Sequence, residues 1–152
     1  MERLDFDTAR TRTAYERIIS DFEKGKTQIL IGTQMLSKGL DFGNVSVVGI
    51  LSADSLMNFP DFRAHERAYQ LMVQVSGRAG RRDKRGTVIL QTTQPEHPLI
   101  RMVQHFAYKE MVSLQLSERS MFRYPPYYRL IVLILRSRNE EALQEMSALY
   151  AE

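Results

Sequence analysis

Gln74-Val75-Ser76-Gly77-Arg78-Ala79-Gly80-Arg81-Arg82 is the stretch on which the fold turns. A helical pattern runs into it, and an apolar run, Thr87 to Gln91, leaves it through Gly86. Helix, basic loop and strand in that order make one step of an α/β chain. Arg78 and Arg81 are separated by alanine and glycine, which let the backbone come close to a ligand. Their guanidinium forks are planar and permanently charged, and they match phosphate oxygens. Gln74 lies one helical turn before Arg78 and can face the same site. Arg78, Arg81, Arg82, Lys84 and Arg85 crowd against a single acid, Asp83. Taken alone, such a stretch reads equally well as a basic surface turn. A second motif upstream favours phosphate.

That motif is Gly32-Thr33-Gln34-Met35-Leu36-Ser37-Lys38-Gly39-Leu40-Asp41-Phe42. It leaves the carboxyl end of a short apolar strand, Thr27 to Ile31, the place where open α/β sheets bind ligands. Thr33 and Gln34 can offer hydroxyl and amide groups to a backbone phosphate. Gly39 permits close approach, and Asp41 can accept from a sugar hydroxyl. Before the strand, Ala14, Tyr15, Ile18, Ile19 and Phe22 recur at helical spacing, so Thr8 to Lys24 is predicted as a helix stopped by Gly25. Gly25-Lys26-Thr27 resembles the end of a P-loop, but position 20 is Ser20 and the order is helix then strand, so the triplet is a turn. Met1 to Asp7 reads as the remainder of an element cut short.

Between the motifs, Val45 to Leu51 is predicted as a strand buried on both faces. Ser52 to Pro60 is a loop. Asp61 then suits the start of a helix whose Ala64, Ala68, Leu71, Met72 and Val75 share a face. Downstream, Pro98 opens a helix expected to run to about Glu118, with Leu99, Met102, Val103 and Phe106 toward a core. Tyr124-Pro125-Pro126-Tyr127-Tyr128 marks a change of composition. Arg129 to Arg136 is predicted as a buried strand, and Ser137 with Glu140 as the capping box of a last helix. The expected division is therefore residues 1–120 as the main domain and 121–152 as the opening of another. His65, His97 and His105 form no ligand pattern and read as surface or packing residues.

The 152 residues suit one domain with a partial second, and a hydrophobic fraction of 43% can fill a core. No apolar run approaches the ~20 residues that span a bilayer, and no signal-peptide pattern leads the chain. Cysteine is absent, which removes disulfides and thiolate metal sites. A cytosolic setting fits. The net charge of +3 and pI near 9.3 lean mildly toward polyanions.

The order strand, Gly-Thr-Gln…Gly-Leu-Asp, strand, helix, Gln-x-x-Gly-Arg-x-Gly-Arg resembles the second RecA-like lobe of superfamily 2 helicases. Ile29 to Leu36, Lys38-Gly39, Asp41-Phe42, Asp61-Phe62-Arg63-Ala64, Glu66-Arg67, Gln74 to Arg81, Gln91-Thr92, Pro95 to Pro98 and Pro125-Pro126 narrow the resemblance to the PriA (primosomal protein N′) family of replication-restart helicases. Ser37 stands where that family commonly has alanine, and Leu40 where a polar residue is usual.

The resemblance implies an α/β fold, a RecA-like parallel sheet covered by helices, followed by the truncated start of a C-terminal domain. It implies an ATP- and Mg²⁺-dependent 3′-to-5′ DNA helicase of bacterial cytoplasm acting at stalled forks, with other primosome proteins and single-strand-binding protein as partners. It places Gly32, Thr33, Gln34 and Lys38 at DNA, and Gly39, Asp41, Arg78 and Arg81 at the nucleotide. Gln74, Arg78 and Arg81 become catalytic, Arg81 the arginine finger. The P-loop belongs to the first lobe, so this part alone is expected to be inactive. The family's zinc region is cysteine-rich and cannot lie in this chain. The competing readings are a lobe of another superfamily 2 helicase or translocase, and a non-catalytic nucleic-acid-binding module.

Overall fold

The computed structural model describes residues 1–33, 42–43, 45–80 and 86–151. Gln34, Lys38, Gly39, Asp41 and Arg81 lie outside the described residues. The chain divides into two compact units, Met1–Leu116 and Ser117–Glu152.

The first unit is α/β with short parallel strands. Glu2–Leu4 forms β1, a true strand despite its brevity, because Leu30–Gly32 (β2) supplies a parallel partner in the register Glu2↔Leu30, Leu4↔Gly32. Between them lies α1, Arg12–Glu23. Thr11 caps it, accepting the Ala14 N–H at 3.2 Å, which satisfies one of the orphan donors of the first turn. The helix starts later than its apolar stripe suggests, because residues 5–9 are consumed by a turn. Gly25 at φ +73° ends it, and the Gly25–Thr27 triplet is a turn. Leu4, Ile18 and Phe42 are buried together, with Phe22 meeting the Phe42 ring edge-on at 4.7 Å.

Val47–Ile50 (β3) and Thr87–Leu90 (β4) form a second parallel pair, Val47↔Thr87 through Ile50↔Leu90. The expectation that this strand is buried on both faces is overturned: Val47 is 55% and Ile89 59% exposed. Among the described residues the pair is two strands wide and only one of its faces is packed. That face carries Ile50 and Leu90 onto a core of Met57, Ala68, Tyr69, Met72, Leu99 and Val103. The segment after β3, read as loop, contains the short helix α2, Ala53–Met57, and α3 follows at Ala64–Ser76.

The helix begun by Pro98 is two helices, α4 at Pro98–Gln104 and α5 at Tyr108–Met121. Phe106 takes a left-handed conformation, φ 51°. The Ala107 N–H returns to Met102 O at 2.9 Å and the Phe106 N–H to Val103 O at 3.2 Å. This double closure satisfies the last carbonyls and stops α4. Phe106, expected in the core, is turned outward.

In the second unit, α6 spans Glu140–Ala151. Its cap is Asn139, whose Oδ1 accepts from Glu141 N at 3.0 Å; Ser137 Oγ accepts from Asn139 N instead of forming the expected box. Pro125–Pro126 is a cis peptide. Residues 129–137 belong to no helix or strand, and Ile131 is 81% exposed. The predicted buried strand is absent because a strand needs a neighbour for its backbone groups, and no other segment described in this unit supplies one.

Candidate functional site

α3 is built to end at the basic loop. Ala64, Ala68, Tyr69 and Met72 bury one face, which leaves Gln74 exposed in the last turn. Past Ser76 the chain keeps its helical sense: Gly77 N–H reaches Val73 O at 3.0 Å, Arg78 N–H Val75 O at 3.0 Å and Ala79 N–H Ser76 O at 3.2 Å. Arg78 therefore follows Gln74 by one turn, half-buried.

Two glycines fix where this turn sits. Gly80, at φ +80°, turns the chain so that its N–H donates to Val45 O at 3.1 Å. Gly86 lies against the same turn: a Cβ there would meet Gly80 N at 2.3 Å and Ala79 C at 2.4 Å. Thr87 N–H then reaches Ser46 O at 2.9 Å and opens β4. The Gln74–Arg78–Gly80 turn is thus anchored at the amino end of the β3–β4 pair.

The other motif occupies the opposite kind of edge. Gly32 and Thr33, both exposed, close the carboxyl end of β2. The register Leu4↔Gly32 places the turn after β1 at the same edge. That turn is knotted by Asp5, a residue sequence reasoning missed. Asp5 is buried, and its Oδ1 accepts Thr8 N at 2.9 Å and Asp7 N at 3.0 Å. These backbone donors, with the Thr8 hydroxyl and Arg3 beside it, hold the Asp5 carboxyl below the usual carboxylate range. Asp-x-x-Thr directly after an apolar position was the signal that could have found it.

A second missed carboxylate closes the carboxyl end of β3–β4. Asp54 accepts Thr92 Oγ1 at 2.5 Å, Thr93 N at 2.8 Å and Thr93 Oγ1 at 2.7 Å. The Thr92 hydroxyl first, then the Thr93 donors, lower its pKa. Ala53 N–H to Gln91 O at 3.0 Å adds a backbone tie at the same point. Nothing in local sequence pairs Asp54 with residues 38 and 39 positions away.

Of the sequence-predicted site residues, Gln74 and Arg78 come together on one turn, and Gly32 and Thr33 on one strand end. Gln34, Lys38, Gly39, Asp41 and Arg81 fall outside the described residues. Among the described residues no group of three His, Cys, Asp or Glu could hold a metal ion, and no helix is long and apolar enough to cross a membrane. His97 caps α4, its Nδ1 accepting Leu99 N at 3.2 Å, and its ring stands edge-on to His65 at 5.4 Å.

The family described as Helicase conserved C-terminal domain matches residues 4–83. The chain is 43% identical over 143 residues to the replication restart protein PriA of Synechocystis sp., covering 94% of this chain and 17% of that protein. It is 45% identical over 146 residues to that of Bacillus subtilis, covering 96% and 18%, and 44% over 125 residues to that of Haemophilus influenzae, covering 82% and 17%. The chain spans about a fifth of the length of the curated relatives it matches. The matched span takes in both loops, the Asp5 turn and α3, so the chain belongs to the Helicase conserved C-terminal domain family.

Proposed function

We propose that this chain is the second motor lobe of an ATP-dependent 3′-to-5′ DNA helicase that acts in replication restart at stalled forks. The observation that carries the reading is the helix α3 ending in a glycine-anchored Gln74–Arg78 turn, in a chain similar over nearly its whole length to replication restart proteins. On this reading residues 1–120 are a RecA-like lobe whose sheet joins both strand pairs, and residues 121–152 open a C-terminal domain.

The two motifs then divide the work by position. Gly32, Thr33, Gln34 and Lys38, following the carboxyl end of β2, hold the DNA backbone. Gln74, Arg78 and Arg81, at the amino end of β3–β4, face the nucleotide, together with Gly39 and Asp41. Donors of this set fit the phosphates of ATP: an amide and guanidinium groups on a backbone bent by glycine. Bound ATP supplies the transferable phosphoryl group, and Arg81 stabilises the charge that develops during transfer. Mg²⁺ ligands and the phosphate-cradling loop come from the first lobe. A zinc site does not fit this chain, which has no cysteine. DNA, single-strand-binding protein and other primosome proteins are the partners of the whole enzyme in bacterial cytoplasm.

The test is Arg81→Ala in the complete protein. DNA-stimulated kcat should fall by about 10³–10⁵ while melting temperature and DNA affinity stay near the parent's. Arg81→Lys should not restore turnover, because an ammonium lacks the planar fork. Near-parental turnover of Arg81→Ala would end the assignment. The 152-residue chain alone should hydrolyse no ATP.

A further inference from the structure

The turn between α2 and α3 presents a second chemistry that the motor reading leaves unused. Met57 and Ala64, 3% and 5% exposed, root it in the core on either side. Asp61 stiffens it: Oδ1 accepts Arg63 N at 2.8 Å, its carbonyl accepts Ala64 N at 2.9 Å, and Oδ2 pairs with Arg67 Nη1 at 2.8 Å. The Asp61 charge is thereby answered within the turn, and its pKa is lowered, first by the Arg63 N–H. On this frame Phe59 stands 59% exposed, and the Arg63 guanidinium lies 5.0 Å from the Phe62 ring centroid.

An exposed ring on a rigid turn is an odd use of phenylalanine. Its sequence neighbours Asn58, Pro60, Asp61 and Arg63 are not a broad apolar patch of the kind that seats another protein. One aromatic face beside an arginine suits a flat π-system linked to an anion. Bases stack on single aromatic rings regardless of sequence, and arginine adds charge and cation–π attraction. The turn follows α2, at the carboxyl end of β3, whereas the Gln74–Arg78 turn lies at the amino end.

We propose that Phe59 and Arg63 form a subsite for single-stranded nucleic acid, Phe59 stacking on a base and Arg63 taking a neighbouring phosphate. This rests on the reading of the chain as a nucleic-acid motor lobe. The chain contains no tryptophan, so F59W introduces a unique fluorophore. Titrating the 152-residue F59W chain with oligothymidylate at low salt should quench its emission. Phe59→Ala should weaken binding roughly 5- to 100-fold without altering the salt dependence or the melting temperature. Arg63→Gln should flatten the log–log salt slope by about 0.7, one phosphate's worth on a single strand. If the parent chain binds oligothymidylate and Phe59→Ala binds it equally well, or F59W emission is unmoved at saturation, the subsite is refuted while the lobe reading survives. If the parent chain binds no single strand at low salt, both fall together.

Discussion

Gly86→Ala tests the anchoring of the arginine turn directly. The added Cβ would stand 2.3 Å from Gly80 N, 2.4 Å from Ala79 C and 2.6 Å from Ala79 Cβ. Two of these are backbone atoms, so no rotamer change can relieve the clash. Ordinary contact begins at 3.4 Å, and about 1 Å of backbone movement is therefore required. Overpacking of this kind costs about 1–3 kcal/mol. If the movement also breaks the Gly80 N–H to Val45 O bond, about 1 kcal/mol more is lost. A loss of about 2–4 kcal/mol should lower the melting temperature by roughly 4–16 °C for a chain of this size. The matched control is Gly49→Ala in β3, where an added Cβ meets nothing within 4 Å. Both are read by circular dichroism melts of the same chain. If Gly86→Ala and Gly49→Ala melt within about 2 °C of each other, the close approach of Gly86 to the turn is refuted.

Asp54→Asn should lower the melting temperature at neutral pH, because the carboxylate accepts from Thr92 and Thr93. Its folded pKa is depressed, so the stabilisation is full above the unfolded value near 3.9 and is lost as pH falls through the folded one. The gap between parent and variant should shrink on the acid side of about pH 4, and a gap independent of pH would refute the clamp. Met72, 0% exposed between α2 and α4, should cost about 2–5 kcal/mol as Met72→Ala, measured as a drop in urea midpoint without a change in slope.

Local signals carried the helices. The α1 stripe, the α3 face around Ala68 and Met72, and Pro98 at the first turn of α4 follow from spacing and capping, which act within a few residues. The signals failed where distant partners decide. Val47 and Ile131 belong to apolar runs that read as buried strands, yet burial requires neighbours that local sequence does not name. Phe106 broke a helix that propensity would have continued, because the Met102 and Val103 carbonyls found closing donors. At the candidate site, residue types were readable in Gln74 and Arg78. The Gly86 contact and the Asp54 clamp were not, since each joins backbone or side chains brought together only by the β3–β4 pairing.

The uncovered run from Leu130 to Ile134 has a consequence for the chain in concentrated solution. Five successive large apolar residues, three of them β-branched or paired with one, are more than half exposed, with Arg129 and Arg136 as the nearest charges on either side. Segments of this composition add to one another as strands when chains meet. The two arginines act as gatekeepers, since like charges stack unfavourably in such an assembly. Salt screens that repulsion while strengthening apolar association. Solubility of the chain is therefore governed by ionic strength through these two side chains, independently of how firmly the first unit is folded.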